Sequence, residues 1–132
     1  MIAAAASLAM AAAHAQSTVV DVPDEAPPRL RVLPPLPGPL EKGVAYIPYQ
    51  LENLRVLPIG GVAAKEISPR VGHLHLQLDG LPWQWADYGN SSTIILIGLP
   101  AGEHRLRVEA VDPEGRPYTA ETLNFSVPKR TP

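Results

Sequence analysis

His73 and His75 stand two residues apart in the run Val71-Gly-His-Leu-His-Leu-Gln-Leu-Asp79. In an extended strand, residues i and i+2 project from the same face, about 7 Å apart at Cα. Two imidazoles so placed can share a copper or zinc ion, because neutral imidazole is a ligand that both metals accept. The plainer reading is the polar face of a strand whose Leu74, Leu76 and Leu78 face the core, since alternation alone accounts for the pattern. His104 shares its face with Leu106, Val108 and Ala110, the core side. Simple alternation therefore points it away from the pair, and a three-histidine site would need a bulge or a rim position. His104 is expected to be structural, near a turn, with a ring N–H bonded to backbone.

Trp83 and Trp85 form the second candidate, in Pro82-Trp-Gln-Trp85. Two indoles on one face of an extended segment can stack on sugars, proline or cations, which makes them the ligand-binding candidates. The plainer reading is that they cover the sheet, because large aromatics dominate burial in a chain with few of them. Asp87-Tyr-Gly-Asn90 is a turn, but no D-x-D-x-D-G calcium loop is present. Enzyme motifs are missing: there is no G-x-S-x-G, no phosphate-cradling glycine loop and no H-E-x-x-H. The sequence selects no reaction, and the protein is expected not to be an enzyme.

The elements that must carry these residues are strands. Besides the histidine run, Glu103 to Val111 alternates, and so does Tyr118 to Val127, with Leu123, Phe125 and Val127 facing in. Thr93-Ile-Ile-Leu-Ile97 is continuously apolar and predicts a strand covered on both faces. Val44 to Ile47 and Leu54 to Leu57 predict shorter strands broken by Pro48 and Pro58. Asp79-Gly80, Leu99 to Gly102 and Asp112 to Gly115 supply turns. Six or seven strands with no convincing helix predict an all-β fold, a single antiparallel immunoglobulin-like β-sandwich.

Composition bounds the rest. The chain has 132 residues, 13 acidic and 11 basic, for a net charge of -2. That balance argues against nucleic acid as a partner. Cysteine is absent, which removes disulfides and thiolate sites. Sixteen prolines argue against a helical bundle. Residues 1–15, MIAAAASLAMAAAHA, hold nine alanines and end in Ala-His-Ala. This predicts a signal peptide, although no basic residue precedes the apolar run. It is too short to span a bilayer, so no transmembrane segment is expected. The periplasm or the exterior is the expected location. Residues 16–43 carry seven prolines and predict an extended linker, with Leu30 to Leu33 able to add on as an edge strand. The sandwich is expected over 44–128 and a tail over 129–132.

Residues 52–128 resemble a family of small secreted proteobacterial proteins whose domain has no known function. Ser68-Pro-Arg-Val-Gly-His-Leu-His75, Asp79 to Trp85 and Gly98-Leu-Pro-Ala-Gly-Glu-His104 carry the resemblance. It implies a signal-bearing single β-domain and no defined activity. It also implies histidine between the two tryptophans in many members, where this chain has Gln84. In architecture alone the chain is similar to CopC-type periplasmic copper carriers, and fold does not imply function.

Three functional readings follow. The first is a non-enzymatic exported module that binds a protein or small ligand through its surface, with no cofactor. The second is a periplasmic protein binding copper or zinc through His73 and His75. A hydrolase-type enzyme stands last.

Overall fold

The computed structural model describes residues 25–130; the expected leader over 1–15 lies outside them, as do the first residues of the arm and the end of the tail. Turn residues divide the described chain into eight strands: β1 (Arg29–Val32), β2 (Val44–Glu52), β3 (Arg55–Val56), β4 (Val71–Leu78), β5 (Trp85–Asp87), β6 (Thr93–Ile97), β7 (Gly102–Val111) and β8 (Pro117–Val127). One sheet has the order β1-β2-β6. The other runs β3-β4-β7-β8, with β5 also pairing β4.

Alternation decides which side chains meet between the sheets. Ile47, Ile94 and Leu96 of the first sheet share one apolar cluster with Leu74, Leu76, Leu106 and Val108 of the second. Each fully buried branched side chain of this kind is worth about 1.5–3 kcal/mol. The result is the all-β sandwich that the alternation requires. One ladder departs from the antiparallel expectation: β3 pairs β4 in parallel, Arg55 opposite Val71 and Val56 opposite Gly72. Gly72 is needed where β4 and β7 come together, because a β carbon there would overlap the Val111 carbonyl oxygen.

The proline-rich arm is not simply a linker in its described part. Arg29–Val32 pairs along β2, and Leu30, Val32 and Leu40 lie in the core. An edge strand needs partners on one side only, so flanking prolines do not forbid it. Pro37–Leu40 forms a one-turn helix, and Val62–Glu66 a 3₁₀ turn, where no helix was expected. Proline is tolerated in a first turn, whose N–H groups have no intrahelical partner. Arg130, expected in the tail, donates through Nη2 to the Lys42 carbonyl at 2.7 Å.

Pro48 does not break β2. Its carbonyl accepts the Leu33 N–H at 2.9 Å, just past the end of β1, so its missing donor falls where that ladder stops. The β6 expectation is also corrected. Ile94 and Leu96 face the core, but Ile95 is 53% and Ile97 79% exposed. The strand lies at an edge with one face open. At the end of β4, Leu78 and Gln77 are both half-buried, and Gln77 donates through Nε2 to the Leu81 carbonyl at 2.7 Å. Asp79 and Gly80 both take positive φ, and Leu81 N–H donates to Leu78 O at 3.0 Å, which defines a type I′ turn.

Candidate functional site

β4 sends His73 and His75 to the face away from the core. Opposite them across the ladder stand Val111 and Glu109 of β7, and on the other side Ala86 of β5 stands opposite His75. The two rings converge: their Nε2 atoms are 2.9 Å apart and the ring planes are inclined by 59°. At that separation one Nε2 carries a proton and donates while the other accepts.

This face is not open water. His73 is only 4% exposed. Tyr88, one residue past β5, lays its ring over His73 with centroids 4.5 Å apart. The 112–115 turn folds over His75, so that a β carbon on Gly115 would sit 3.1 Å from His75 Cε1. His73 Nδ1 is buried with no hydrogen-bond partner. Burial pushes the His73 pKa down, the neighbouring His75 adds to this, and Asp112 opposes it. The ring is thus held neutral, the form that binds a metal.

Asp112 shapes the covering turn. Its Oδ1 accepts the N–H groups of Glu114 at 2.8 Å and Arg116 at 2.9 Å. Lys65 reaches Asp112 at 3.8 Å and Glu114 at 2.9 Å. Burial would raise the Asp112 pKa, but the two N–H bonds and the nearby cations outweigh it and hold the carboxyl below its ordinary value. Glu109, the carboxylate in register with His75, is engaged by Arg107 at 2.7 and 3.0 Å. Among the described residues, no third His, Cys, Asp or Glu joins the two histidines in a metal-binding cluster.

The other sequence candidates lie elsewhere. His104 is buried, its Nδ1 2.7 Å from Asp79 Oδ2 and its Nε2 2.8 Å from the Pro100 carbonyl. Both contacts are acceptors, an arrangement that favours the doubly protonated ring. Asp79 Oδ1 also accepts the Arg105 N–H at 2.7 Å. Trp85 stands opposite Leu76, on the core side of β5, and packs half-buried against the core. Trp83 is 54% exposed with its ring 5.6 Å from that of Trp85. The tryptophans and the histidine pair therefore use opposite faces of the sheet.

Tyr88, Asp112 and Gly115 were not singled out as parts of the site from the sequence. The Asp-Pro-Glu-Gly turn is legible by itself, but its position over His75 follows from the pairing of β4 with β7. Two neutral imidazoles in a half-covered niche can hold a borderline-soft cation. Tetrahedral zinc at 2.0–2.1 Å places ligand nitrogens about 3.3 Å apart, so the pair needs to open by only a few tenths of an ångström. The ring that donates through Nε2 must then move its proton to Nδ1.

Fold and niche together define a small all-β sandwich domain with a converging imidazole pair on one sheet. The chain belongs to a family of unknown function, DUF6130, which matches residues 1–132. No curated protein and no solved structure matches it. Among the described residues, no helix is long and apolar enough to cross a membrane.

Proposed function

We propose that the protein is an exported, non-enzymatic binding domain that takes a copper or zinc ion between His73 and His75. The observation that carries this reading is the 2.9 Å approach of the two Nε2 atoms in a niche where His73 is buried and kept neutral. With two protein ligands, water completes the coordination shell, and the affinity is micromolar rather than that of a structural site. The apolar run ending in Ala-His-Ala supports export, and the missing nucleophile, phosphate-loop and zincin motifs support a binding role. Thermal unfolding with and without added Zn²⁺ or Cu²⁺ tests it, because a ligand that binds only the folded state raises Tm. Wild type should gain stability, and His73→Asn/His75→Asn should not. An equal gain in both proteins would place the metal elsewhere and end this reading.

A second reading is binding of a planar or cyclic ligand at Trp83, favoured by the exposure of its indole beside Trp85.

A further inference from the structure

The β6 edge breaks two rules for a strand that faces solvent. An exposed edge is ordinarily guarded by lysine, proline or a bulge. Thr93-Ile-Ile-Leu-Ile97 carries no charge and no proline. It pairs regularly with β2, from Val44 opposite Ile97 to Pro48 opposite Thr93. Its outward side chains are apolar, and so are the β2 residues beside them: Tyr46 stands opposite Ile95 and Val44 opposite Ile97. Ile95, Ile97 and Tyr46 are exposed. A sequence suited to cover on both faces has cover on one.

The register shows what the edge offers. Tyr49 N–H donates to Ser92 O at 3.0 Å, which fixes the hydrogen-bonding phase of the β2–β6 ladder. By alternation, Ile94 and Leu96 turn their backbone groups towards β2. Thr93, Ile95 and Ile97 turn theirs outward. Of these, the Thr93 carbonyl also accepts the Ser91 hydroxyl at 2.7 Å.

We propose that the β6 edge pairs antiparallel with β6 of a second copy of this chain, about a two-fold axis beside Ile95. The arrangement is self-complementary. Ile95 falls opposite Ile95 of the partner subunit, and Thr93 opposite Ile97 of the partner subunit. These are the three residues whose backbone groups point outward, so the ladder continues without a change of phase. The two three-stranded sheets become one. Side chains in register share a face, so Tyr46 and Ile95 of both copies form one apolar row across it. Ile94 and Leu96 meet their counterparts on the core side.

The chain's own remaining segment is the competing occupant, and the two differ in concentration dependence: pairing between copies needs a second chain, whereas an arm in the same chain does not. Glu25 accepts from the Ser68 hydroxyl and from the Arg70 N–H at 2.8 Å, and the Pro27 carbonyl accepts from Asn53 Nδ2 at 3.0 Å. The chain then runs into β1, at the opposite edge of the sheet from β6. Charge excludes a strongly ionic partner, since Val44, Tyr46, Ile95 and Ile97 are all uncharged.

The test is sedimentation velocity of the full chain across protein concentrations up to about 100 μM, where a contact of modest area becomes populated. It is joined to amide hydrogen exchange at the two extremes. Ile95→Lys places like charges against each other across the axis. Ile95→Pro removes an outward N–H that the β2 ladder does not use. Wild type should shift from monomer to dimer, with the Ile95 amide slowing at least fivefold as it does. Ile95→Lys should stay monomeric with its Tm unchanged at low concentration, and Ile95→Pro, where it folds, should do the same. A wild type that stays monomeric throughout would overturn the proposal. So would a dimer that survives Ile95→Lys, or Ile95 protection that is independent of concentration, which would assign the edge to the chain's own arm.

Discussion

Gly115 packs its backbone tightly against the His75 ring: a β carbon built there lies 3.1 Å from Cε1, so the ring would have to give by a few tenths of an ångström. Its φ is +84°, a conformation that a side chain disfavours. The turn and the imidazole pair are therefore one packed unit. Gly115→Ala should destabilise the fold by about 1–3 kcal/mol and push His75 off the line of His73. Zinc affinity should fall roughly tenfold, a loss of about 1.4 kcal/mol. Denaturant unfolding and calorimetry on the same variant check both numbers, and unchanged affinity would separate the turn from the site.

His104 gives the fold a pH dependence of known sign. Burial alone would lower its pKa, but the Pro100 carbonyl and the Asp79 carboxylate outweigh burial and raise it. A raised folded pKa stabilises fully below the unfolded value of about 6.5 and loses that contribution as pH rises through the folded value. For Asp79, burial would raise the pKa, and the Arg105 N–H and His104 bring it below the ordinary value. Its contribution is present above about 3.9 and fades as pH falls through the lowered value. The pair is thus most effective between about pH 4 and 6.5. The stability difference between wild type and His104→Gln, measured by urea unfolding, should shrink steadily from pH 6 to pH 9. A difference that stays flat would mean that His104 is held neutral.

Much of this architecture is legible in the sequence, and the reasons for the rest are physical. β4, β7 and β8 show because one face of each is buried and the side-chain period is two. The Asp79-Gly80 and Asp112–Gly115 turns show because their residues tolerate the required backbone angles. β1 shows as a run able to join an edge, where the donors missing from its flanking prolines cost little, but the burial of Leu30, Val32 and Leu40 within a proline-rich stretch does not show. The exposure of Ile95 and Ile97 hides because an apolar run reads alike at the centre and at the edge of a sheet. The burial of His73 hides because Tyr88 and the 112–115 turn reach it only through long-range pairing.

Gln84 precedes β5 by one residue, and alternation from Ala86 places it on the face of His75. Gln84→His should bring a third imidazole to the rim of the niche and tighten zinc binding at least tenfold, because three ligands and a water complete a tetrahedral shell. Competition against a chromophoric chelator measures it. An unchanged constant would show that position 84 does not reach the pair.

Arg107 holds Glu109, the carboxylate across from His75. Arg107→Ala removes a cation near the niche and frees that carboxylate to turn. An exposed ion pair is worth about 0.2–1 kcal/mol, so stability should change little. Zinc affinity should rise roughly two- to fivefold in the same calorimetric experiment. A weaker site would show that the ion pair itself orders the niche.

The most direct measurement is calorimetric titration of the wild type and of His73→Asn/His75→Asn with Zn²⁺ and Cu²⁺ at neutral pH. The wild type should bind one ion with a micromolar constant that weakens below about pH 6, where protons compete for imidazole. The double variant should show no binding and an unchanged far-ultraviolet spectrum. Identical isotherms for the two proteins would contradict the account and leave the histidines as a buried polar pair without a metal.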